Sequence, residues 1–414
     1  MDFTLTDAQR LIRESVRDFA DRELAPIAGE LDHLKRFPAK PLQRLAELGI
    51  LGMTIPPDYG GAGADGVSSC LALMEISRAC ASTGVTVSVH NALVCEIIFR
   101  YGTEQQRRKY LPGLCGGGLL GAFSLTESTS GSDAASLRTT ARLHGDRYIL
   151  NGTKLFVTNG SRAGAIIVFA SVDLQSGDKG ITAFLVEPSF PGFLVGKQEE
   201  KMGLRASDTV ELILEECRVP MENRLGEEGQ GFKIAMAALV SGRAGIAAQA
   251  VGIAQACLEA STRYAKERHQ FGRPIGRFQA IQWKLANMAT EIEAARLLTL
   301  RAAWCRDREL PFAAESSKAK LFASEVAYRA AVEAVQIHGG YGYLQDFPVE
   351  RHLRDARVLT IYEGTSEIHR LIISRHLLGP SPSLHLWAEG KGEGADGGPE
   401  KGEGQGCVRE GEGT

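Results

Sequence analysis

The sequence lacks the short motifs that build metal sites. Its eight cysteines include no C-x-x-C pair, and its nine histidines include no H-E-x-x-H motif. Because protein metal ions are usually held by such closely spaced ligands, we expect no metal site. Cysteines without paired spacing are typical of free thiols in a reducing compartment.

The sequence also lacks an excess of one charge and an N-terminal leader pattern. A formal net charge of -3 and a pI near 6.3 disfavour general binding to nucleic acids or membrane surfaces. The opening Met-Asp-Phe-Thr has no basic and apolar signal pattern, so we expect a cytoplasmic location. The long apolar stretch from Ile234 to Leu258 is interrupted by Arg243. A central arginine is costly in lipid, which favours a buried helix and no membrane span.

Changes in residue pattern divide the chain into four parts. Residues 1–118 have helical periodicity, residues 119–229 have short strand-like runs, and residues 230–379 return to long helices. Residues 380–414 are dominated by Gly, Glu and Lys and are predicted to be disordered. The predicted fold is therefore α+β, with an N-terminal helical domain, a middle β domain and a C-terminal four-helix bundle. The helices of the last domain are expected near 230–268, 279–309, 312–338 and 366–378.

Turn and capping residues predict where several elements begin and end. Thr6 and Gln9 form a capping-box pattern at the start of the first helix, and Pro26 is predicted to end it. Two apolar runs flank Asn151-Gly152, which predicts a β-hairpin with its turn at these residues. The glycines of 61–66 match G-x-G-x-x-G, but no strand leads into them, so a plain turn is predicted.

Glu363 is the strongest candidate for a catalytic base. It lies in the sequence Ile361-Tyr362-Glu363-Gly364-Thr365-Ser366, where the glycine lets a ligand approach the backbone. Thr365 is a predicted N-cap, which leaves the helix N–H groups free to hold an anion or a cofactor oxygen. The alternative interpretation is a capping turn that carries a surface glutamate.

Five other segments carry candidate binding residues, and each has a simpler structural explanation. Small and hydroxylated residues at 123–132 suit a phosphate or ring edge, or form an ordinary polar loop. Phe156 is a stacking aromatic or a core residue, and Arg243 in an apolar helix needs an anion or a hydrogen-bonding partner. The turn at 267–275 and the glycine pair that ends the helix at 336–340 can also be plain capping segments.

Taken in order along the chain, these motifs resemble the acyl-CoA dehydrogenase family, from about residue 3 to Gly379. The resemblance implies FAD as cofactor, an acyl-CoA as substrate and an electron-transfer flavoprotein as electron acceptor. It also implies a homo-oligomer, expected to be a tetramer, in which Arg268, Phe271, Gln279 and the 336–340 segment hold the ADP half of a neighbouring subunit's FAD. A role in fatty-acid β-oxidation or branched-chain amino-acid catabolism follows from the same resemblance.

The resemblance further implies individual residue roles. Glu363 removes the α-proton, the FAD N5 accepts the hydride from Cβ, and the Glu363 backbone N–H with a ribityl hydroxyl forms the oxyanion hole. Acyl-CoA contacts are implied for Ser132, Phe232, Arg243, Tyr362 and Gly364. FAD contacts are implied for Phe123, Leu125, Thr126, Gly131, Ser132, Phe156, Val157, Thr158, Arg268, Phe271, Gln279, Gln336, Ile337, His338, Gly339, Gly340, Thr365 and Glu367.

The sequence departs from the family pattern at several positions. Phe156 replaces a frequent tryptophan and so keeps a stacking face without the indole N–H. Val240 replaces a frequent Asp or Asn, which removes a polar contact. Some branches place the base just before the arginine that matches Arg243, but Gly242 occupies that position here and cannot serve. The tail after Gly379 has no family counterpart.

Burial beside an apolar acyl chain is expected to raise the pKa of Glu363 toward the working pH and make it a stronger base. The sequence around Glu363 and the 85–95 segment resemble short-chain and short-branched-chain members, so short acyl chains are expected. The alternatives are a flavin oxidase of the same fold, acting on acyl-CoA or nitroalkanes, and a non-catalytic relative that binds nucleic acid. The mildly acidic charge weighs against the latter.

Overall fold

The computed structural model describes residues 4–379, so the predicted disordered tail at 380–414 lies outside the described residues. Helices form both ends of the described chain, and eight strands of one sheet lie between them. The helices are α1 Asp7–Phe19, α2 Ala25–His33, α3 Ala39–Glu47, α4 Gly66–Ala79, α5 Ala81–Ser88, α6 Glu96–Tyr101, α7 Glu104–Cys115, α8 Gly231–Glu267, α9 Gln279–Asp307, α10 Ala313–His338, α11 Pro348–Arg357 and α12 Ser366–Leu378. The strands are β1 Gly121–Ser124, β2 Thr140–His144, β3 Arg147–Thr158, β4 Ala165–Ser171, β5 Ile181–Val186, β6 Phe193–Gln198, β7 Thr209–Pro220, β8 Arg224–Leu225, β9 His269–Gln270 and β10 Arg273–Pro274.

The first helix begins as predicted but does not end as predicted. The Thr6 hydroxyl accepts from the Gln9 backbone N–H, and the Gln9 side chain accepts from the Thr6 backbone N–H, so the capping box is confirmed. The prediction that Pro26 ends this helix is wrong. A π-helical segment, Ala20–Leu24, joins α1 to α2. Pro26 falls in the first turn of α2, where a missing N–H and a fixed φ cost little.

The glycine-rich segment between Pro57 and α4 is a turn, as predicted. A short 3-10 helix, Pro57–Tyr59, precedes it, and the Asp65 side chain caps α4 by accepting from the Ser68 N–H. No strand leads into these glycines among the described residues, so the G-x-G-x-x-G match has none of the context of a dinucleotide site.

The central sheet has the strand order β6-β7-β3-β2-β4-β5-β8, and β1 pairs with β4. Pairing is mainly antiparallel, whereas β1 with β4 and β2 with β4 are parallel. β4 and β5 are buried along their whole length, which explains why their sequences are continuous apolar runs. The core of this domain includes Tyr148, Leu150, Val157, Phe184 and Leu212.

The prediction of a hairpin turn at Asn151-Gly152 is wrong. Both residues lie inside β3, and the turn between β2 and β3 falls earlier, at Gly145-Asp146. The register of β3 against β7 shifts between Leu150 and Gly152. Gly152 has φ 154°, and a Cβ there would lie 2.4 Å from the Thr139 Oγ1. The glycine is therefore needed for a bulge and a close strand approach, since a side chain would not fit.

The C-terminal helices pack mainly through α8, α9 and α10. Two helical stretches, Ala81–Tyr101 and Gly231–Glu267, are long and apolar enough to cross a membrane by length and composition alone. Of their most apolar windows, 89% and 78% are buried inside the protein, which is the behaviour of core helices. The small residues of α8 allow this close packing.

Candidate active site

A strained turn between α11 and α12 presents Glu363. After the 3-10 helix Val358–Thr360, Glu363 adopts φ 49° and Gly364 adopts φ 98°. A non-glycine residue in the left-handed region costs roughly 1 kcal/mol or more, so the surrounding structure must hold it there. Thr365 then caps α12 by accepting from the Ile368 N–H at 3.4 Å, which confirms the predicted N-cap.

The carboxylate of Glu363 is buried without a hydrogen bond. Both of its oxygens are inaccessible to solvent, and neither has a hydrogen-bond partner within the described chain. A Cβ at Gly242 would lie 2.2 Å from the Glu363 Oε2 and 2.8 Å from the Leu93 Cδ2. The absence of a side chain at Gly242 therefore lets the carboxylate lie against the backbone of α8. Gly242 is the alternative base position that a glycine cannot serve. It therefore faces the carboxylate of Glu363, the candidate base.

Two buried cations lie near this carboxylate without bonding to it. Burial raises the pKa of the Glu363 carboxyl to about 7, and the charges of Lys320 and Arg243 oppose the rise. Burial lowers the pKa of Arg243 to about 10 and that of Lys320 to about 7, while the charge of Glu363 opposes both shifts. The expectation that burial raises the pKa of Glu363 is confirmed. A carboxyl group with such a pKa is about half ionised at neutral pH and mostly ionised above it, and its carboxylate is a stronger base than that of an ordinary glutamate.

A buried ion pair shapes the loop that follows β1. The Lys154 Nζ donates to the Glu127 Oε1 at 2.7 Å and to the Leu125 carbonyl at 3.1 Å. Glu127 also accepts from the backbone N–H groups of Arg138 and Thr139, at 2.6 and 3.0 Å. These bonds fix the backbone of the predicted binding loop. Phe123 and Thr126 are half-buried, Leu125 is buried, and Gly131 and Ser132 are exposed.

The end of β3 turns Phe156 out of the sheet. The register with β7 shifts between Lys154 and Val157, and Phe156 has φ 57° with 62% of its surface exposed. A bulge of this kind is common beside binding sites because it redirects one side chain. Val157 instead packs in the sheet core, so only its backbone could contact a ligand, and Thr158 is half-buried.

A π-helical segment, Val89–Cys95, contacts both β1 and the part of α8 that faces Glu363. The Nδ1 of His90 accepts from the Gly121 backbone N–H at 3.0 Å, at the start of β1. Three residues later, Leu93 lies against Gly242 and Glu363. The start of β1 and the contact between Gly242 and Glu363 therefore lie beside the same π-helical segment.

A separate cluster contains the remaining predicted residues. The Arg268 guanidinium lies 5.5 Å from the centre of the Tyr341 ring, which joins the β9–β10 turn to the segment after α10. Phe271 is 92% exposed at φ 52°, and Gln279 and Gln336 are exposed. In contrast, Ile337 and His338 are buried, and His338 stacks on Tyr264. A Cβ at Gly339 or Gly340 would have no atom within 4 Å, so the surface beside them is open.

This cluster is far from Glu363 within one chain. Lys320 and Gln336 lie on the same helix, sixteen residues apart (336 minus 320), which corresponds to roughly 24 Å along its axis.

The other predicted binding residues lie on α8, on α12 and in the turn before α12. Phe232 is buried and lies eleven residues before Arg243 on α8. Glu367 is exposed in the first turn of α12. The Tyr362 hydroxyl donates to the Gln249 Oε1, which ties it to α8.

Sequence reasoning missed Lys320, Lys154 and the buried His369. Ala323 and Ala327 follow Lys320 by three and seven residues. A helical projection therefore places all three residues on the buried face of α10. The argument applied to Arg243, that a charge in an apolar face needs a partner, would have identified it. No group of three or more His, Cys, Asp or Glu side chains in residues 4–379 is placed to hold a metal ion.

Comparisons with known proteins identify all three parts of the chain. Family models of the acyl-CoA dehydrogenase N-terminal, middle and C-terminal domains match residues 6–118, 122–217 and 229–378. The chain is 50% identical over 374 residues to the mitochondrial short-chain specific acyl-CoA dehydrogenase of Rattus norvegicus, covering 90% of this chain and 91% of the relative.

Solved structures give the same result. Butyryl-CoA dehydrogenase from Megasphaera elsdenii matches with a TM-score of 0.90 at 46% identity, over 91% of this chain and all of that one. A chain in the structure of the electron transferring flavoprotein of Acidaminococcus fermentans matches with a TM-score of 0.91 at 47% identity, over 92% and 100%. Glutaryl-CoA dehydrogenase from Mycobacterium smegmatis in complex with FADH2 matches with a TM-score of 0.87 at 35% identity, over 92% and 97%. The predicted three-domain α+β fold is confirmed, and the chain belongs to the acyl-CoA dehydrogenase family.

Proposed function

We propose that this enzyme removes the α- and β-hydrogens of a short or short-branched acyl-CoA, with Glu363 as the base and FAD as the cofactor. The buried, unpartnered carboxylate of Glu363 carries the proposal, because its raised pKa and free oxygens suit the removal of a weakly acidic proton. The alternative that Glu363 is a surface residue of a capping turn does not account for this burial.

The residues of this chain fit a large aromatic cofactor. Phe156 offers an exposed aromatic face beside the loop after β1, and Phe271 offers another in the distant cluster. Open space beside Gly131, Gly339 and Gly340 leaves room for close approach of a ligand to the backbone. When bound, FAD supplies the acceptor for the hydride that leaves Cβ of the acyl chain. The FADH2 complex of the M. smegmatis relative supports this cofactor.

The residues around Glu363 have distinct tasks in the proposed reaction. In this proposal the Glu363 carboxylate takes the proton from Cα, and its backbone N–H donates to the thioester oxygen. One such donor contributes on the order of 100- to 1,000-fold in rate. The positive charge of Arg243 favours the charged form of the carboxylate within the buried site. The buried Leu93 side chain, which lies beside Gly242, helps to exclude water from the carboxylate.

Two observations support the substrate and the partner. The relative from R. norvegicus is short-chain specific, and the M. elsdenii structure is a butyryl-CoA dehydrogenase. The match within the structure of an electron transferring flavoprotein supports such a protein as the electron acceptor. The distance between Lys320 and Gln336 supports a homo-oligomer, expected to be a tetramer, in which the distant cluster serves a neighbouring subunit's FAD.

An anaerobic titration of the purified flavoprotein tests the proposed reaction. Butyryl-, 2-methylbutyryl- or isobutyryl-CoA should bleach the flavin absorbance, and octanoyl-CoA should bleach it much less. Glu363→Gln should retain the flavin but show no bleaching with any of these thioesters. Glu325→Gln, which changes a carboxylate paired with Arg370 at the surface of α10, is the matched control and should react like the natural protein.

Other outcomes separate the alternatives. Normal bleaching in Glu363→Gln would refute Glu363 as the base. Bleaching by octanoyl-CoA alone would refute the short-chain preference. Rapid turnover with oxygen as the only electron acceptor would instead identify a flavin oxidase.

A further inference from the structure

Lys320 is a buried cation that the reaction proposed above does not explain. It lies on α10 and has no exposed surface. Its Nζ donates to the Gly364 carbonyl at 2.6 Å, the residue directly after Glu363. A buried ammonium is costly unless it has an anion or good acceptors, so this placement needs a compensating interaction.

The bond to Gly364 acts on the strained part of the turn. Glu363 and Gly364 both have positive φ, and this conformation persists only if neighbouring groups hold it. Lys320 fixes the carbonyl of the second of these residues from a rigid helix. The same helix contacts Arg243, whose NH1 lies 3.4 Å from the Ser317 Oγ one turn before Lys320. One face of α10 thus contacts both the base turn and the second cation.

The charged and titratable groups around Lys320 come from two helices, α8 and α12, and from the turn that carries Glu363. Arg243 faces it from α8, and Glu367 and His369 face it from α12. Burial, then Lys320 and Arg243, lower the pKa of His369 to about 2, so its ring is neutral. Glu367 is exposed, and Tyr362 is bonded to Gln249. Glu363 is therefore the buried anion among the groups that face Lys320.

We propose that Lys320 is a positioning residue for Glu363: it holds the Gly364 carbonyl so that the carboxylate lies against Gly242, and its ammonium stabilises the charged carboxylate. The proposal rests on the role of Glu363 as the base. It assigns two separable contributions to one side chain, a hydrogen bond that sets the geometry of the turn and a charge that sets the titration of the base.

The direction of the charge effect follows from the geometry. Burial lowers the pKa of Lys320 to about 7, so its positive charge is present at and below neutral pH, where it lowers the pKa of Glu363 against the larger effect of burial. Removing this charge should raise the pKa of Glu363 further, so the carboxylate forms only at higher pH. Turnover depends on the charged base and should therefore begin to rise at higher pH in the variant.

Three variants separate the two contributions. Lys320→Gln keeps a donor for Gly364 without the charge, Lys320→Arg keeps the charge, and Lys320→Met removes both. In each purified flavoprotein, the pH dependence of kcat with butyryl-CoA is measured. Infrared difference spectroscopy follows the protonated carboxyl band of Glu363, assigned by its loss in Glu363→Gln. Lys318→Met on the same helix, where Lys318 pairs with Glu315, is the control.

We expect the midpoint of both titrations to move up by about one pH unit in the Gln and Met variants. The Arg variant and Lys318→Met should stay near the natural midpoint, and only Met should also lower kcat at high pH. Unchanged infrared midpoints in the Gln and Met variants would overturn the proposal, even if they lose flavin or stability. If Lys320→Met does not fold, the comparison of Lys320→Gln with Lys320→Arg still tests the charge effect. Normal turnover by Glu363→Gln would refute only the role of Glu363 as the base. The effect of Lys320 on the protonation of Glu363 would still be measured by the infrared midpoint.

Discussion

At the residue scale, the contact between Glu363 and Gly242 leads to a steric prediction. Gly242→Ala would place a methyl group 2.2 Å from the Glu363 Oε2, and the helix backbone cannot easily move away. The carboxylate must shift, and a displacement of about 1 Å can cost on the order of 100-fold in rate. We therefore expect kcat with butyryl-CoA to fall by about that factor, with the flavin retained.

Gly245→Ala is the matched control for this prediction. It adds the same methyl group to the same helix but meets the Ser88 Oγ, at 2.5 Å. It should cost stability without a comparable loss of kcat. Equal losses of kcat in the two variants would show that close helix packing, and not the position of Glu363, limits activity.

The sequence predicted the residues whose chemistry is unusual for their local pattern. Glu363 beside a glycine and Arg243 in an apolar helix could be recognised because each carries a charge in an unusual place. The left-handed conformation of Glu363 and its contact with Gly242 depend on two segments about 120 residues apart, which local patterns do not relate. The roles inferred for the flavin-binding residues stay predictions.

At the element scale, local turn and stop signals gave wrong predictions at two places where tertiary packing stabilises a longer helix or strand. Pro26 is compatible with the start of a helix, so packing of α1 and α2 around a π-helical segment overrides it as a stop signal. Asn151-Gly152 favours a turn in isolation. Both sides of β3 have strand partners, and pairing with β2 and β7 makes the continuous strand more favourable.

The buried pair of Lys154 and Glu127 makes a prediction about the middle domain. Although burial raises it, the Lys154 ammonium and several hydrogen bonds hold the pKa of Glu127 below its usual value. Lys154→Met would leave this carboxylate buried without its cation, which costs about 3–5 kcal/mol. Urea unfolding followed by circular dichroism should show that loss, and the loop after β1 should hold flavin less tightly.

Two further variants check this explanation. Adding Glu127→Gln to Lys154→Met should restore part of the stability, because no unpaired buried charge remains. Lys197→Met removes a lysine from an exposed pair with Glu199 and should cost less than about 1 kcal/mol. If Lys197→Met lowered the free energy of unfolding as much as Lys154→Met does, burial of the Lys154–Glu127 pair would not explain the loss.

At the scale of the whole molecule, the order of helical, β and helical segments was predictable because each segment has its own periodicity. The three family models match in that order. The parallel pairing of β1 with β4 and the approach of the π-helical segment to both β1 and Gly242 were not predictable. They depend on contacts between distant parts of the chain.

The distance of the 268–279 and 336–340 cluster from Glu363 leads to a complementation prediction. If each active site combines Glu363 of one subunit with this cluster from another, two different defects can compensate in a mixed oligomer. Glu363→Gln removes the base, and Arg268→Glu with Gln336→Ala disables the cluster, so each protein alone should be inactive. Random pairing makes half of the pairs mixed, and one of their two sites is intact, which predicts about a quarter of natural activity before the mixed oligomers are isolated and a larger fraction afterwards.

The measurement is butyryl-CoA turnover after the two proteins are co-expressed and the mixed oligomers are isolated with two different affinity tags. Mixing the purified proteins without subunit exchange is the control and should give no activity. If the cluster instead served its own chain, every site in the mixed oligomer would keep one defect, and co-expression would recover nothing. Recovery would therefore show that the shortest functional unit is a pair of chains, as the roughly 24 Å between Lys320 and Gln336 along α10 suggests.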